Sequence, residues 1–202
     1  MPAPPTRDDL VRRLADIPPL EDLLTADDLE KQRTAALAAP LTPAAVLLLV
    51  VNHPREPAVV FTQRTAHLAD HAGQISFPGG RAAAGEGPAQ TALREAREEV
   101  GIDPAGVEIL GELPDYHTST GYRVRPVVGW AEGPMAYEPD PYEVADVFEV
   151  PLAFLLETAN HRYESAYYKG RLRHYWAMPW QGRFIWGATA GMLVTFQRIV
   201  GR

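Results

Sequence analysis

The chain of 202 residues is 46% hydrophobic and 22% charged, which fits one globular domain with a small appendage and excludes wholesale disorder. Its 19 Lys and Arg against 26 Asp and Glu leave a formal charge of −7, which argues against a nonspecific binder of nucleic acid or of an anionic membrane; an anionic ligand must have its charge met locally, by a few arginines or a metal. With no cysteine there is no disulfide framework, no thiolate nucleophile and no cysteine-based metal site.

Proline is dense at the start: Pro2, Pro4, Pro5, Pro18, Pro19, Pro40, Pro43, Pro54 and Pro57. Between these, Arg7–Ile17 and Ala26–Ala39 read as two short helices, the second opened by Thr25 as N-cap. Residues 1–43 are therefore expected to form a helical arm packed on a main domain over 44–202. The β-branched, apolar segments Ala44–Val51 and Ala58–Gln63 read as strands joined by the turn-rich Asn52-His53-Pro54-Arg55. Ala44–Val51 is also the longest apolar run, far short of the roughly 20 residues that cross a bilayer. The start MPAPPTRDDL lacks the basic-then-apolar pattern of a secretory signal, and the end Ile199-Val200-Gly201-Arg202 is no peroxisomal address, so a cytoplasmic enzyme is expected.

A long helix is predicted from about Pro88 to Val100, then strands at Val107–Leu113, Val124–Trp130 and Val144–Val150. Pro151 is expected to open a short helix running to about Thr158, at the first helical position that proline tolerates. Tyr163–Tyr168 and Leu172–Met178 alternate as a hairpin turning at Lys169-Gly170, and Thr189–Val200 reads as a closing helix. Several neighbouring strands are linked too briefly for parallel crossovers, so the predicted fold class is α/β with a mixed sheet between helices.

The helix over Pro88–Val100 carries the chemistry. At about 100° per residue, with Glu95 at zero, Glu99 falls near +40° and Glu98 near −60°, so three carboxylates share one face. Ala92, Ala96, Ala89, Val100 and Leu93 occupy roughly +60° to +160°, a small-residue stripe that lets the helix sit close to a sheet. Gly87-Pro88 starts the helix and Gly101 ends it. Like charges at these spacings cost roughly 0.2–0.5 kcal/mol per pair, and the C-terminal end of the helix dipole adds to the repulsion. Arg94, four residues before Glu98, relieves part of it; a hard divalent cation would turn repulsion into coordination. An isolated E-x-x-E-E is read as a solvated charged face, but here the surrounding residues fall into a set spacing.

Gly80, Glu86, Arg94, Glu95, Ala96, Glu98, Glu99, Gly101 and Ile102 stand at the positions of G-x5-E-x7-R-E-U-x-E-E-x-G-U, with U a bulky aliphatic residue and only Ala96 smaller than usual. The chain thus resembles the Nudix hydrolases. That resemblance implies the Nudix fold, a mixed sheet between helices, and cleavage of a diphosphate that joins a nucleoside to another group, with Mg²⁺ or Mn²⁺ as cofactor. It implies that Glu95, Glu98 and Glu99 hold the metal, with the Gly79 carbonyl as a further ligand. It also implies that one of the three glutamates, or a downstream acid, orients the attacking water. Gly80, Glu86, Arg94 and Gly101 are implied to brace the loop and helix.

Upstream, Val60-Phe61-Thr62-Gln63-Arg64-Thr65, Gly73 and Phe77-Pro78-Gly79-Gly80 resemble the added signature of the coenzyme A diphosphatase branch, L-L-T-x-R-S/A-x3-R-x3-G-x3-F-P-G-G. Ala69 stands where that pattern has arginine, whose planar fork a methyl group does not replace. Gly121–Gly129 and Phe184–Ala190 also resemble this branch. The implied substrate is coenzyme A or a derivative, with Arg64, Arg81, Arg123 and Arg125 as candidate phosphate contacts. The rivals are another nucleoside diphosphate derivative such as ADP-ribose or NADH, which Ala69 keeps alive, and a silent ligand sensor, against which the intact carboxylate set argues. Glu143 resembles the late acidic residue of the family and is a candidate metal ligand or base, a solvated loop glutamate being the other reading. His67, His71, His117 and His174 are read as polar surface, and most of the Tyr and Trp residues over Tyr163–Trp186 as packing. The expected partner is a small molecule, with no nucleic acid and no membrane, and a homodimer is left open.

Overall fold

The computed structural model describes residues 4–37, 40–67, 72–168 and 170–201. Three helices come first, α1 (Arg7–Ala15), α2 (Leu20–Leu23) and α3 (Ala26–Leu37), followed by strands β1 (Thr42–Asn52), β2 (Ala58–Arg64), β3 (Ile75–Ser76) and β4 (Gly79–Arg81). Helix α4 (Pro88–Val100) leads to β5 (Glu108–Glu112), β6 (Tyr116–His117), β7 (Tyr122–Glu132) and β8 (Val144–Pro151). The chain closes with α5 (Leu152–Leu156), β9 (Arg162–Tyr168), β10 (Arg171–Trp180), β11 (Arg183–Trp186) and α6 (Gly187–Val200).

The main sheet runs β3-β2-β1-β7-β5, with β4 on β1, β6 on β7 and β8 on β2. Strands β1 and β7 are parallel over their whole length, from Thr42 opposite Tyr122 to Asn52 opposite Glu132, whereas β1 pairs antiparallel with both β2 and β4. The sheet is mixed, as the short links predict. A second sheet, β11-β10-β9, is antiparallel, with Tyr168 opposite Arg171 at the hairpin; Lys169, half of the expected turn, lies outside the described residues.

Strand β1 explains the sandwich. Leu47, Leu49 and Val51 face one side, where they meet Ala92, Ala96 and Val100 of α4. Leu48 and Val50 face the other side and share a cluster with Phe196 and Leu193 of α6 and Leu10 and Leu14 of α1. A strand covered on both faces reads as a continuous apolar run rather than an alternating one. Each fully buried leucine here is worth about 1.5–3 kcal/mol of transfer free energy.

The first helices share this core. Thr6 and Asp9 form a capping box at α1, whose Leu10 and Leu14 are buried, and Leu23 of α2 joins the same cluster. Several boundaries differ from expectation. Helix α1 ends at Ala15 rather than Ile17, because a residue before proline is driven out of the α region and Ile17 precedes Pro18. Pro151 is still in β8 and stands at the N-cap of α5, not at its first helical position, and α5 ends at Leu156, before a separate turn over Thr158–Asn160. Strand β1 starts two residues earlier than predicted, at Thr42. Strands β3, β4, β6 and β11 were not expected. No helix among the described residues is long and apolar enough to cross a membrane.

Candidate active site

The site is built where β4 delivers the chain into α4. Gly79, Gly80 and Arg81 pair with Val46, Ala45 and Ala44 of β1. At Gly79, with φ +154°, a Cβ would lie 2.4 Å from the Ala45 carbonyl oxygen and 2.5 Å from Val46 Cα, so the backbone can come this close only without a side chain. At Gly80 a Cβ would lie 2.6 Å from Glu95 Cδ: the Glu95 carboxylate rests on the bare α-carbon.

Glu86 and Arg94 tie the loop to the helix. Arg94 Nε donates to Glu86 Oε1 at 2.7 Å and Nη2 to Glu86 Oε2 at 3.0 Å, while Glu86 also accepts from Ala83 N and Thr91 Oγ1, both at 2.9 Å. The Arg94 bond is the largest reason that the Glu86 carboxyl is pulled down to a pKa of about 2. Arg94 Nη2 further donates to the Arg81 carbonyl at 3.1 Å, and Nη1 to Glu95 Oε1 at 2.9 Å and Glu98 Oε2 at 3.0 Å. One guanidinium thus spans loop, strand and helix. Gly87 caps the start of α4 with Pro88 behind it, and Gly101 ends the helix in the left-handed conformation, φ +72°.

The three carboxylates stand at different depths. Glu98 is exposed, its side chain 59% accessible. Glu99 is 7% accessible and its Oε2 accepts the Gly79 N–H at 3.0 Å. Burial pushes the Glu99 pKa up to about 7; the Gly79 hydrogen bond and the Arg64 charge act against this, and the Glu95 and Glu143 charges add to it. Glu95 is raised as well, chiefly by burial, with Arg94 opposing. The donor set is all carboxylate oxygen, which suits hard cations such as Mg²⁺ and Mn²⁺, and a buried, like-charged pair of acids gains most from one. Among the described residues no three acidic or histidine side chains converge as a ready cage. Arg94 engages one oxygen each of Glu95 and Glu98.

Arg64 ends β2, where the pairing with β8 shifts register. Its Nε is buried without a hydrogen-bond partner among the described residues, and its charge acts on Glu99. Glu143, half-buried, adds its charge to both Glu95 and Glu99. Arg81 points an exposed side chain outward at the end of β4. Arg123 and Arg125 lie on β7, where Arg125 is held by Asp115 at 2.7 Å and Glu112 at 3.0 Å and Arg123 approaches Asp115 at 4.0 Å. These two arginines are thus engaged by acids of their own rather than by the glutamates of α4. Ala69 and His71 lie outside the described residues. His67 faces Tyr142, His117 meets Gln32 of α3, and His174 stacks on Tyr163. Two residues given no role by the sequence join the site's frame: Asp140, whose N–H donates to the Glu99 carbonyl, and Thr65 of the upstream motif, which holds the carbonyls of Tyr142 and Glu143. The turn-forming Asp140-Pro141 and the place of Thr65 beside Arg64 were the available signals.

The NUDIX domain family matches residues 41–167. An Escherichia coli protein named uncharacterized Nudix hydrolase NudL is 42% identical over 151 residues, covering 74% of this chain and 78% of that one. Its Shigella boydii namesake is 41% identical over the same 74% and 78%. Among solved structures, the Nudix hydrolase RenU from M. smegmatis aligns with a TM-score of 0.48 at 25% identity, covering 55% of this chain and 70% of that one.

Proposed function

Since the chain belongs to the Nudix family, we propose that it hydrolyses the diphosphate of coenzyme A or its derivatives, yielding 3′,5′-ADP and (acyl-)4′-phosphopantetheine, with Mg²⁺ or Mn²⁺ as cofactor. The observation that carries this reading is the meeting of two motifs. Strand β2 ends with Arg64 beside Glu99, and Phe77-Pro78-Gly79-Gly80 runs straight into the Gly79 N–H that binds the same carboxylate. The residues that resemble the coenzyme A branch therefore touch the residues that carry the Nudix motif.

The proposed division of labour takes its ligand set from the Nudix motif. Glu95, Glu98 and Glu99 would hold the cation, with the Gly79 carbonyl as a further ligand. When bound, a divalent cation there would supply charge neutralisation of the diphosphate and a lowered pKa for the attacking water. Arg64, with an unpaired buried N–H, grips phosphate oxygens through its planar fork. Exposed Arg81 is the candidate for a second contact; Arg123 and Arg125 would meet phosphate only by sharing themselves with Asp115 and Glu112. Glu143 would complete the acidic set around the cation and, from there, orient the water and accept its proton as the water oxygen bonds to one phosphorus. The bridging P–O bond breaks and its oxygen leaves on the other phosphate. No covalent enzyme intermediate is needed, and the reaction is placed in the cytoplasm.

Ala69 favours a second reading, hydrolysis of a nucleoside diphosphate derivative that lacks the 3′-phosphate, such as ADP-ribose or NADH. Purified protein with Mn²⁺ and coenzyme A, dephospho-coenzyme A, ADP-ribose or NADH, with products identified by mass, separates the two. Faster cleavage of coenzyme A than of its dephospho form supports recognition of the 3′-phosphate. Activity on ADP-ribose alone refutes the coenzyme A assignment and keeps the Nudix one. Turnover of none of the four supports the ligand sensor.

A further inference from the structure

The segment carrying Glu143 is fastened to the site at both ends. On the helix side, Glu138 N donates to the Val100 carbonyl and Asp140 N to the Glu99 carbonyl, each at 2.9 Å. These are carbonyls of the last turn of α4, which the helix itself leaves unpaired. The close approach explains why residue 101 lacks a side chain, since a Cβ on Gly101 would lie 2.8 Å from Glu138 Cβ. Asp140 then turns the chain: its carbonyl accepts Glu143 N at 3.1 Å and Val144 N at 2.8 Å, and its Oδ1 accepts Tyr142 N at 2.9 Å.

On the strand side, beside the pairing of Arg64 with Val144 and the packing of His67 on Tyr142, the fastening runs through Thr65. Thr65, 7% accessible, donates its N–H to the Glu143 carbonyl at 3.0 Å and its hydroxyl to the Tyr142 carbonyl at 2.9 Å. Two successive carbonyls, those of Tyr142 and Glu143, are thus pinned to one threonine, and the charge of the second residue acts on both Glu95 and Glu99. The threonine hydroxyl does not touch the Glu143 carboxyl; it fixes the backbone from which the carboxyl extends.

We propose that Thr65 is a positioning residue, whose hydroxyl bond to the Tyr142 carbonyl holds Glu143 in place for the divalent cation and the attacking water. The inference rests on the place given to Glu143 in the proposed reaction. Removing the hydroxyl while keeping the shape, Thr65→Val, leaves a carbonyl without its donor and frees the segment to shift.

The test reads Mn²⁺ affinity of the free protein by calorimetry, together with kcat and KM for coenzyme A. Thr65→Val is expected to weaken Mn²⁺ binding and lower kcat, each on the order of tenfold, the size found when a supporting group behind a metal ligand is lost. KM should stay unchanged, and Thr65→Ser should restore both quantities. On a Glu143→Gln background, Thr65→Val should add no further loss, because it acts through Glu143. Wild-type Mn²⁺ affinity in Thr65→Val or in Glu143→Gln, or losses that multiply in the double variant, overturns the inference. If Thr65→Val does not fold, Thr65→Ala against Thr65→Ser gives the same comparison. Calorimetry needs no substrate, so the expected Mn²⁺ pattern in a protein that spares coenzyme A refutes the substrate and leaves the role of Thr65 standing.

Discussion

The Glu95 carboxylate lies against the bare α-carbon of Gly80, so closely that a Cβ there would stand 2.6 Å from Glu95 Cδ. Neighbouring Gly79 is crowded instead by backbone, the Ala45 carbonyl and Val46 Cα. The two glycines of one motif therefore fail in different ways when given a methyl group. Gly80→Ala displaces only the end of a flexible side chain, so the variant should fold with a Tm near wild type and lose most of its activity. Gly79→Ala must push β1 and β4 apart and should lower Tm by several degrees or prevent folding. Thermal melts and turnover of the pair check this. A folded, fully active Gly80→Ala would refute the placement of Glu95 in the reaction.

Glu98 is the most exposed of the three glutamates on α4, its side chain 59% accessible, and Arg94 reaches it at 3.0 Å. Glutamine keeps an acceptor for Arg94 and removes only the charge. The stability change should stay within about 0.5 kcal/mol, the range for surface positions. Activity should fall by on the order of 10²–10³, as when one group that stabilises transition-state charge is removed. Hydrolysis at the wild-type rate by Glu98→Gln would remove this residue from the cation site.

Acid sensitivity should trace to the brace between Glu86 and Arg94. The Glu86 carboxyl is held at a pKa of about 2 in the fold against an ordinary value of 4.5. Between those values the unfolded chain binds the extra proton, so stability rises with pH through this window. The contribution is fully present above about 4.5 and is lost as pH falls toward 2. Urea midpoints measured from pH 6 down to pH 3 should fall more steeply for the wild type than for Glu86→Gln, which lacks this titration. Parallel curves would show that the brace does not set the acid limit.

How much of this was legible depends on whether the cause is local. Helix α4 was, because Gly87-Pro88 and Gly101 are signals within the chain segment they punctuate and the alanine stripe repeats with the helical period. The sharing of one face by Glu95, Glu98 and Glu99 followed from the same period, but their depths did not. Glu99 is buried because Gly79 and β1 close over it, and no periodicity reports that. Strands β3 and β4 are two and three residues long and exist only as partners of β2 and β1, so they carry no alternation to read. Pro151 was misplaced by one position because strand pairing with Ala58 holds it in β8. The arginines divide in the same way. Position in a motif singled out Arg64, whereas only tertiary contact reveals that Asp115 and Glu112 already engage Arg125.

Arg64 supplies the sharpest check on substrate binding. Its Nε is buried with no partner among the described residues, an arrangement that costs stability in the free protein unless a ligand supplies the acceptor. Arg64→Met keeps the apolar stem and removes the orphaned donor, so its Tm should equal or exceed that of the wild type. The loss should appear in substrate binding instead. A hydrogen bond to a charged group is worth about 1.5–3 kcal/mol, which corresponds to a rise in KM for coenzyme A of roughly 10- to 150-fold. Arg64→Lys restores charge but not the fork, and should recover only part of that affinity. A drop in Tm with KM unchanged would make Arg64 a structural residue and remove the phosphate contact on which the coenzyme A reading leans.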